Sequence, residues 1–139
     1  MEKQKYAAIV LAAGSGKRMN SKVHKQYLII QDRPVLYYSL KAFEDSAVDE
    51  IVLVVGKGEE EFCRKEIVDK YGISKVKAIV EGGKERYHSV FEGLKQTSDA
   101  DYVLIHDGAR PFVNQDIIRR CMLEVPEYQA CVVGMPVKD

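Results

Sequence analysis

Neither sign of charge dominates this chain: its 139 residues carry 21 Lys and Arg against 21 Asp and Glu, a formal net charge of zero. That balance removes the global positive field with which proteins hold duplex nucleic acid or an anionic membrane surface, so useful electrostatics must be local. Long apolar runs are missing too. The stretch from Ile51 to Val55 falls well short of the roughly 18 residues that a membrane-spanning helix needs. Met1-Glu2-Lys3-Gln4-Lys5 opens no apolar stretch with a cleavage site. A cytoplasmic protein with neither a nucleic-acid nor a membrane partner is expected. Cysteine is scarce, and Cys63, Cys121 and Cys131 give an odd count with no Cys-x-x-Cys spacing. Neither a disulfide framework nor a zinc site suits that pattern, and the three are read as reduced, mostly buried thiols.

What is present is a core. At 46% hydrophobic and 30% charged, the composition is that of one soluble globular domain. Short runs rich in Val and Ile, bounded by Gly, Pro or Asp, predict strands over 7–13, 50–55, 76–80, 102–106 and 130–135. Their continuous apolarity predicts burial on both faces. Between them, helical spacing picks out Leu36, Leu40 and Phe43, then Phe62, Ile67 and Tyr71 closing at Gly72, then Val90 and Leu94, then Ile117, Ile118, Cys121 and Met122 with Asn114 as N-cap. Strands alternating with helices of this length require βαβ units, hence an α/β fold with a mostly parallel sheet and helices on both faces. The last strand candidate runs into Met135-Pro136-Val137-Lys138-Asp139 with nothing after it to cover or pair it, which predicts a fragment of a longer chain.

In an open parallel sheet ligands bind outside the carboxyl ends of the strands, and three segments there are unusual. Leu11-Ala12-Ala13-Gly14-Ser15-Gly16-Lys17-Arg18-Met19 places two glycines directly after a strand, where backbone amides can approach phosphate oxygens. Met19 stands where a dinucleotide fingerprint needs its third glycine, and the spacing is not that of a Walker A loop. A plain glycine turn or a solvated basic loop is the alternative. Against it, Gly14 to Ile30 holds Lys17, Arg18, Lys22, Lys25 and His24 and no acidic residue, which favours a polyphosphate. Next, Glu81-Gly82-Gly83-Lys84-Glu85-Arg86-Tyr87-His88-Ser89-Val90 pairs two glycines with a hydroxyl on the first turns of a helix. A left-handed turn would explain one of those glycines more easily than two. Last, His106-Asp107-Gly108-Ala109-Arg110-Pro111-Phe112 delivers a carboxylate at a strand end, where Mg²⁺ could be shared with nucleotide phosphates. There the alternative is an Asp that caps a turn and pairs with Arg110. His24, His88 and His106 have no metal spacing and receive no chemistry, Tyr37, Tyr38 and Phe43 read as a helix face on the sheet, and Glu59-Glu60-Glu61 reads as a solvated helix start.

The first block, followed by His24-Lys25-Gln26-Tyr27-Leu28, resembles the opening signature of sugar-phosphate nucleotidyltransferases. With Gly82-Gly83-x-x-Arg86-x-x-Ser89-Val90 and His106-Asp107-Gly108-Ala109-Arg110-Pro111-Phe112, the resemblance narrows to the 2-C-methyl-D-erythritol 4-phosphate cytidylyltransferase family. The resemblance implies a Rossmann-like three-layer nucleotidyltransferase fold, residues 1–139 being the nucleotide-binding portion of a single domain. It implies transfer of CMP from CTP to a sugar-alcohol phosphate, 2-C-methyl-D-erythritol 4-phosphate, with release of pyrophosphate and with Mg²⁺ as cofactor. It also implies roles: Ala12, Ala13 and Gly14, Ser15, Gly16 and Lys17 around the nucleotide, Arg18 and Lys25 at the reacting phosphate, Gly82, Gly83 and Ser89 on cytidine, Asp107 on the metal, and Arg110 on the acceptor. Gly108 stands where family members often carry alanine, a change expected to matter little. By the same resemblance, further substrate-site residues and the arm of a homodimer lie beyond Asp139. Ribitol-5-phosphate cytidylyltransferase, a CTP-binding module without turnover and a dinucleotide oxidoreductase are the competing readings, the last opposed by Met19.

Overall fold

A computed structural model of the chain describes residues 4–13, 29–30, 33–108, 114–128 and 130–133. In chain order the elements are β1 (Tyr6–Ala12), β2 (Ile29–Ile30), β3 (Arg33–Pro34), α1 (Val35–Glu44), β4 (Glu50–Val55), α2 (Glu60–Cys63), a π-helical continuation (Arg64–Asp69), β5 (Val76–Glu81), α3 (Arg86–Lys95), β6 (Tyr102–Asp107), α4 (Gln115–Tyr128) and β7 (Ala130–Val133). All five predicted strands form, and they pair in parallel in the order β5-β4-β1-β6-β7. The direction in which strands are added therefore reverses at β1. The small antiparallel ribbon of β2 and β3 was not expected from the sequence.

Strand periodicity divides the core into two layers. Ala8, Val10 and Ala12 of β1, with Ile51, Leu53 and Val55 of β4, meet Leu36, Leu40 and Phe43 of α1, Cys63 and Ile67 after it, and Ile118 and Cys121 of α4. Ile9 and Leu11, with Val52, Val54, Val103 and Ile105, face the other side, where Val90 of α3 packs. Tyr37 and Phe43 are buried as read, and Asn114 caps α4 by accepting the Ile117 amide at 2.9 Å. Cys63 and Cys121 are buried and in no disulfide. β5, at the sheet edge, is only half buried, so two-sided burial holds for β1 and β4 but not for every strand.

Two helical faces differ from expectation. Phe62 is 47% exposed and Leu94 41%, although spacing placed both inward. After Cys63 the helix widens into π geometry, which changes its phase, and Cys63, Ile67 and Val68 take the inward positions. In α3 the buried residues are Ser89 and Gly93. A Cβ on Gly93 would lie 2.7 Å from Ile9 Cγ2, so the helix sits too close to the sheet for a leucine to point at it. Gly72 does end the second helix, in the left-handed region at φ 67°.

At the amino ends of the strands, Lys5 and Lys77 bracket the buried Glu50 at 2.8 and 3.0 Å, and both reach Asp99, at 2.6 and 3.2 Å. The Lys5 ammonium, and then Lys77, hold the Asp99 carboxyl down to about 2 from the ordinary 3.8. A depressed carboxyl stabilises the fold fully above its ordinary value and loses that contribution as pH falls through its folded value. Asp99→Asn is therefore expected to flatten the acid limb of the stability curve between about pH 4 and about pH 2, where Asp99 titrates, leaving the neutral limb's slope unchanged in urea denaturation. Gly93→Ala is expected to lower unfolding free energy by about 1–2 kcal/mol by urea titration, overpacking against Ile9 outweighing the gain in helix propensity.

Candidate functional site

From β1 the sheet is extended through β4 toward one edge and from β6 through β7 toward the other, and the carboxyl ends of β1 and β6, where that order reverses, are where an open parallel sheet offers a ligand site. β1 ends at Ala12; Gly82, which follows β5, lies against Ala13, and Gly108, which follows β6, lies against Leu11. On one side the Gly82 amide continues the β4–β5 ladder, donating to the Val55 carbonyl at 2.8 Å. On the other the Gly108 amide donates to the Leu11 carbonyl at 2.7 Å.

Both glycines are there for closeness. Among the described residues only Gly58 and Gly72 have positive φ, so neither Gly82 nor Gly83 serves a left-handed turn. A Cβ on Gly82 would meet the Ser89 hydroxyl oxygen, Ala13 Cβ at 2.8 Å and Val54 Cγ1 at 3.0 Å; one on Gly83 would run into His88 Cβ. The pair thus lets the α3 start lie directly on the β1 exit. Ser89 is buried, with its oxygen against Gly82, instead of standing open on the first turn. A Cβ on Gly108 would lie 2.8 Å from Cδ1 of the fully buried Leu36 and 3.1 Å from the Leu11 carbonyl oxygen. Alanine there would require the Leu36 side chain to shift.

The approach to the glycine pair is anchored by carboxylates. Glu81, the last residue of β5, accepts the Gly58 amide at 2.9 Å, which holds its carboxyl below the usual range. Glu60 shares a hydrogen bond with Glu81 and is pushed up by it.

Asp107 is the last residue of β6, in register with Leu11. Alternation along the strand turns its neighbour His106 the other way, fully buried, with Nε2 3.1 Å from Ser39 Oγ and its ring against Phe43. His106 is a core residue, as read, and His88 Nδ1 accepts the Glu85 amide at 3.3 Å as part of the α3 cap. The Asp107 side chain is one-third exposed and pairs with Arg86, whose Nη1 lies 3.7 Å from Oδ2. Arg86 stands within a motif quoted from the sequence but received no role there; the alternative in which Asp107 pairs with Arg110 lies outside the described residues. The available signal for Arg86 was its place at the first position of a helix that follows a strand-end glycine loop.

The structure thus brings Ala12, Ala13, Gly82, Gly83, Ser89 and Asp107 to one end of the sheet. Gly14, Ser15, Gly16, Lys17, Arg18, His24, Lys25 and Arg110 lie outside the described residues. Among the described residues the site is glycine backbone packed closely on the exit of β1, with one carboxylate and one guanidinium paired beside it.

The family model described as IspD, 2-C-methyl-D-erythritol 4-phosphate cytidylyltransferase, matches residues 6–139. The protein of that name from Lachnoclostridium phytofermentans is 54% identical over 136 residues, covering 98% of this chain and 58% of the relative; the one from Lachnospira eligens is 55% identical over 133 residues, covering 95% and 58%. The crystal structure of 4-diphosphocytidyl-2C-methyl-D-erythritol synthase from Anaerococcus prevotii superposes with TM-score 0.72 at 31% identity, covering 88% of this chain and 51% of that one. The chain spans a little over half the length of the curated relatives it matches.

Gly82→Ala should lower the stability of the chain by about 1–3 kcal/mol in urea denaturation and move the backbone amide resonances of Ala13 and Ser89. Unchanged shifts at both residues would mean that the glycine is not there for close approach.

Proposed function

Because the chain belongs to the 2-C-methyl-D-erythritol 4-phosphate cytidylyltransferase family, we propose that the whole protein transfers CMP from CTP to the phosphate of 2-C-methyl-D-erythritol 4-phosphate, releasing pyrophosphate. We further propose that these 139 residues supply its nucleotide half. The observation that carries the reading is the convergence of Ala13, Gly82 and Asp107 beside the point where strand order reverses. Cytidine would lie against the backbone of Gly82 and Gly83, with Ser89 beneath them, and against Ala12 and Ala13. Gly14, Ser15, Gly16 and Lys17 would wrap the triphosphate, and Arg110 would hold the acceptor.

Asp107 fits a role on Mg²⁺. Such hard cations take one or two carboxylates and complete their shell with substrate phosphates. The described residues contain no cluster of three or more His, Cys, Asp or Glu that would form a cage of protein ligands, and a single carboxylate at a strand end matches the shared arrangement. Bound there, the ion would neutralise phosphate charge. The chemical step needs little else from the protein: an acceptor phosphate oxygen forms a bond to the α-phosphorus of CTP as the bond to the bridging oxygen of pyrophosphate breaks. In such transfers catalysis is mainly positioning and charge neutralisation. Arg18 and Lys25 would supply fixed positive charge at the α-phosphate. No serine, cysteine or histidine nucleophile is required, in keeping with His106 and Cys63 being buried in the core.

Among the described residues no helix is long and apolar enough to cross a membrane. We place the whole protein in the cytoplasm, as a homodimer with no nucleic-acid partner.

Calorimetric titration of the 139-residue chain with CTP, UTP, ATP and GTP in Mg²⁺ should show saturable binding of CTP alone; a folded chain that ignores all four overturns the reading. For the full-length protein, pyrophosphate release should follow addition of methylerythritol phosphate and stay at least about tenfold slower with ribitol 5-phosphate, the size of a modest loss of transition-state binding. The reverse preference would assign it to the ribitol-phosphate enzymes.

A further inference from the structure

The ion pair at the carboxyl ends of the strands joins two parts of the site that would bind different portions of a nucleotide. Arg86 opens α3, directly after the glycine pair, and Asp107 closes β6. Their separation of 3.7 Å is within ion-pair range but well beyond the about 2.7–2.9 Å of a tight charge-assisted hydrogen bond. The arginine side chain is 58% exposed and the aspartate 33%, so solvent screens the attraction and either partner can exchange it for another.

We propose that Arg86 is a positioning residue that competes with a divalent cation for the Asp107 carboxylate, and so sets the cation concentration at which nucleotide binds. The inference rests on the assignment of Asp107 to Mg²⁺ above. Two positive centres drawn to one carboxylate repel each other and divide its lone pairs, so a cation on Asp107 draws the guanidinium's partner away from it. A tight bidentate pair would block the carboxylate, whereas this long, screened one yields to a divalent charge. Arg86 has somewhere to go: it is exposed and at the start of a helix whose preceding loop would face the nucleotide. The device makes the protein prefer a nucleotide that arrives with its cation over one that arrives without it.

The test is calorimetric titration of CTP into the 139-residue chain at a series of Mg²⁺ concentrations, comparing the unaltered chain with Arg86→Gln, Arg86→Lys and Asp107→Asn. Arg86→Gln is expected to lower the Mg²⁺ concentration for half-maximal CTP affinity by about two- to fivefold, the size of a screened surface ion pair. Arg86→Lys should keep that midpoint near the original, and Asp107→Asn should abolish the Mg²⁺ dependence due to this carboxylate. A purely structural role for Arg86 would instead weaken CTP binding equally at every Mg²⁺ concentration. That result, or an unmoved midpoint in Arg86→Gln, overturns the inference while the functional reading stands. Mg²⁺ dependence unchanged in Asp107→Asn overturns the metal assignment and the inference with it, and absence of CTP binding by the unaltered chain overturns the functional reading itself.

Discussion

Everything in this molecule is arranged around a strand that meets almost no water. Residues Ala7 to Ala12 of β1 are all buried, flanked by parallel partners on both edges and covered by helices on both faces. A backbone so placed can satisfy its amides and carbonyls only through the two ladders, and its side chains can only be apolar. Polar chemistry is thereby expelled to its ends. At the amino end the chain meets the Lys5, Glu50, Lys77 and Asp99 network; at the carboxyl end Gly82 lies against Ala13 and Gly108 against Leu11. The two ends differ in kind: one is a matched ionic network, the other closely packed glycine backbone.

Closeness is the second theme, and it is achieved by leaving side chains out. Gly93 brings α3 down onto Ile9 and Val54, Gly82 brings its preceding loop onto Ala13, and Gly108 brings the β6 exit against Leu36 and the Leu11 carbonyl. Three omissions of a methyl group, at three separate places in the chain, bring helix and loop backbone down onto the sheet. The cost is the conformational freedom that glycine gives up on folding, and the local carboxylates of Glu81 and Glu85 restrain the segment where that freedom is greatest.

Charge is treated differently at the two ends. Around Glu50 every group is matched, with two ammonium groups shared between two carboxylates at 2.6–3.2 Å. At the carboxyl end the pair of Arg86 and Asp107 is longer, more exposed and composed of groups with other potential partners. Matched, short contacts suit a fixed scaffold, whereas long and screened ones suit groups that exchange partners when a ligand comes.

The sequence by itself determined the parallel α/β class, all five strands of the sheet and the place of Asp107 at a strand end, because short runs of Val and Ile alternating with helical patterns call for βαβ units. It also singled out the two glycine-bearing loops, since glycines after apolar strands are scarce for any other purpose. What it left open was decided by tertiary structure. The inward faces of α2 and α3 passed from Phe62 and Leu94 to Cys63, Ser89 and Gly93, because helix phase and the distance to the sheet depend on a π-helical turn and on contacts with β1 and β4 that linear spacing does not encode. Among the described residues Asp107 pairs with Arg86, which lies 21 residues away in sequence; only the order in which the strands assemble brings the start of α3 to the end of β6.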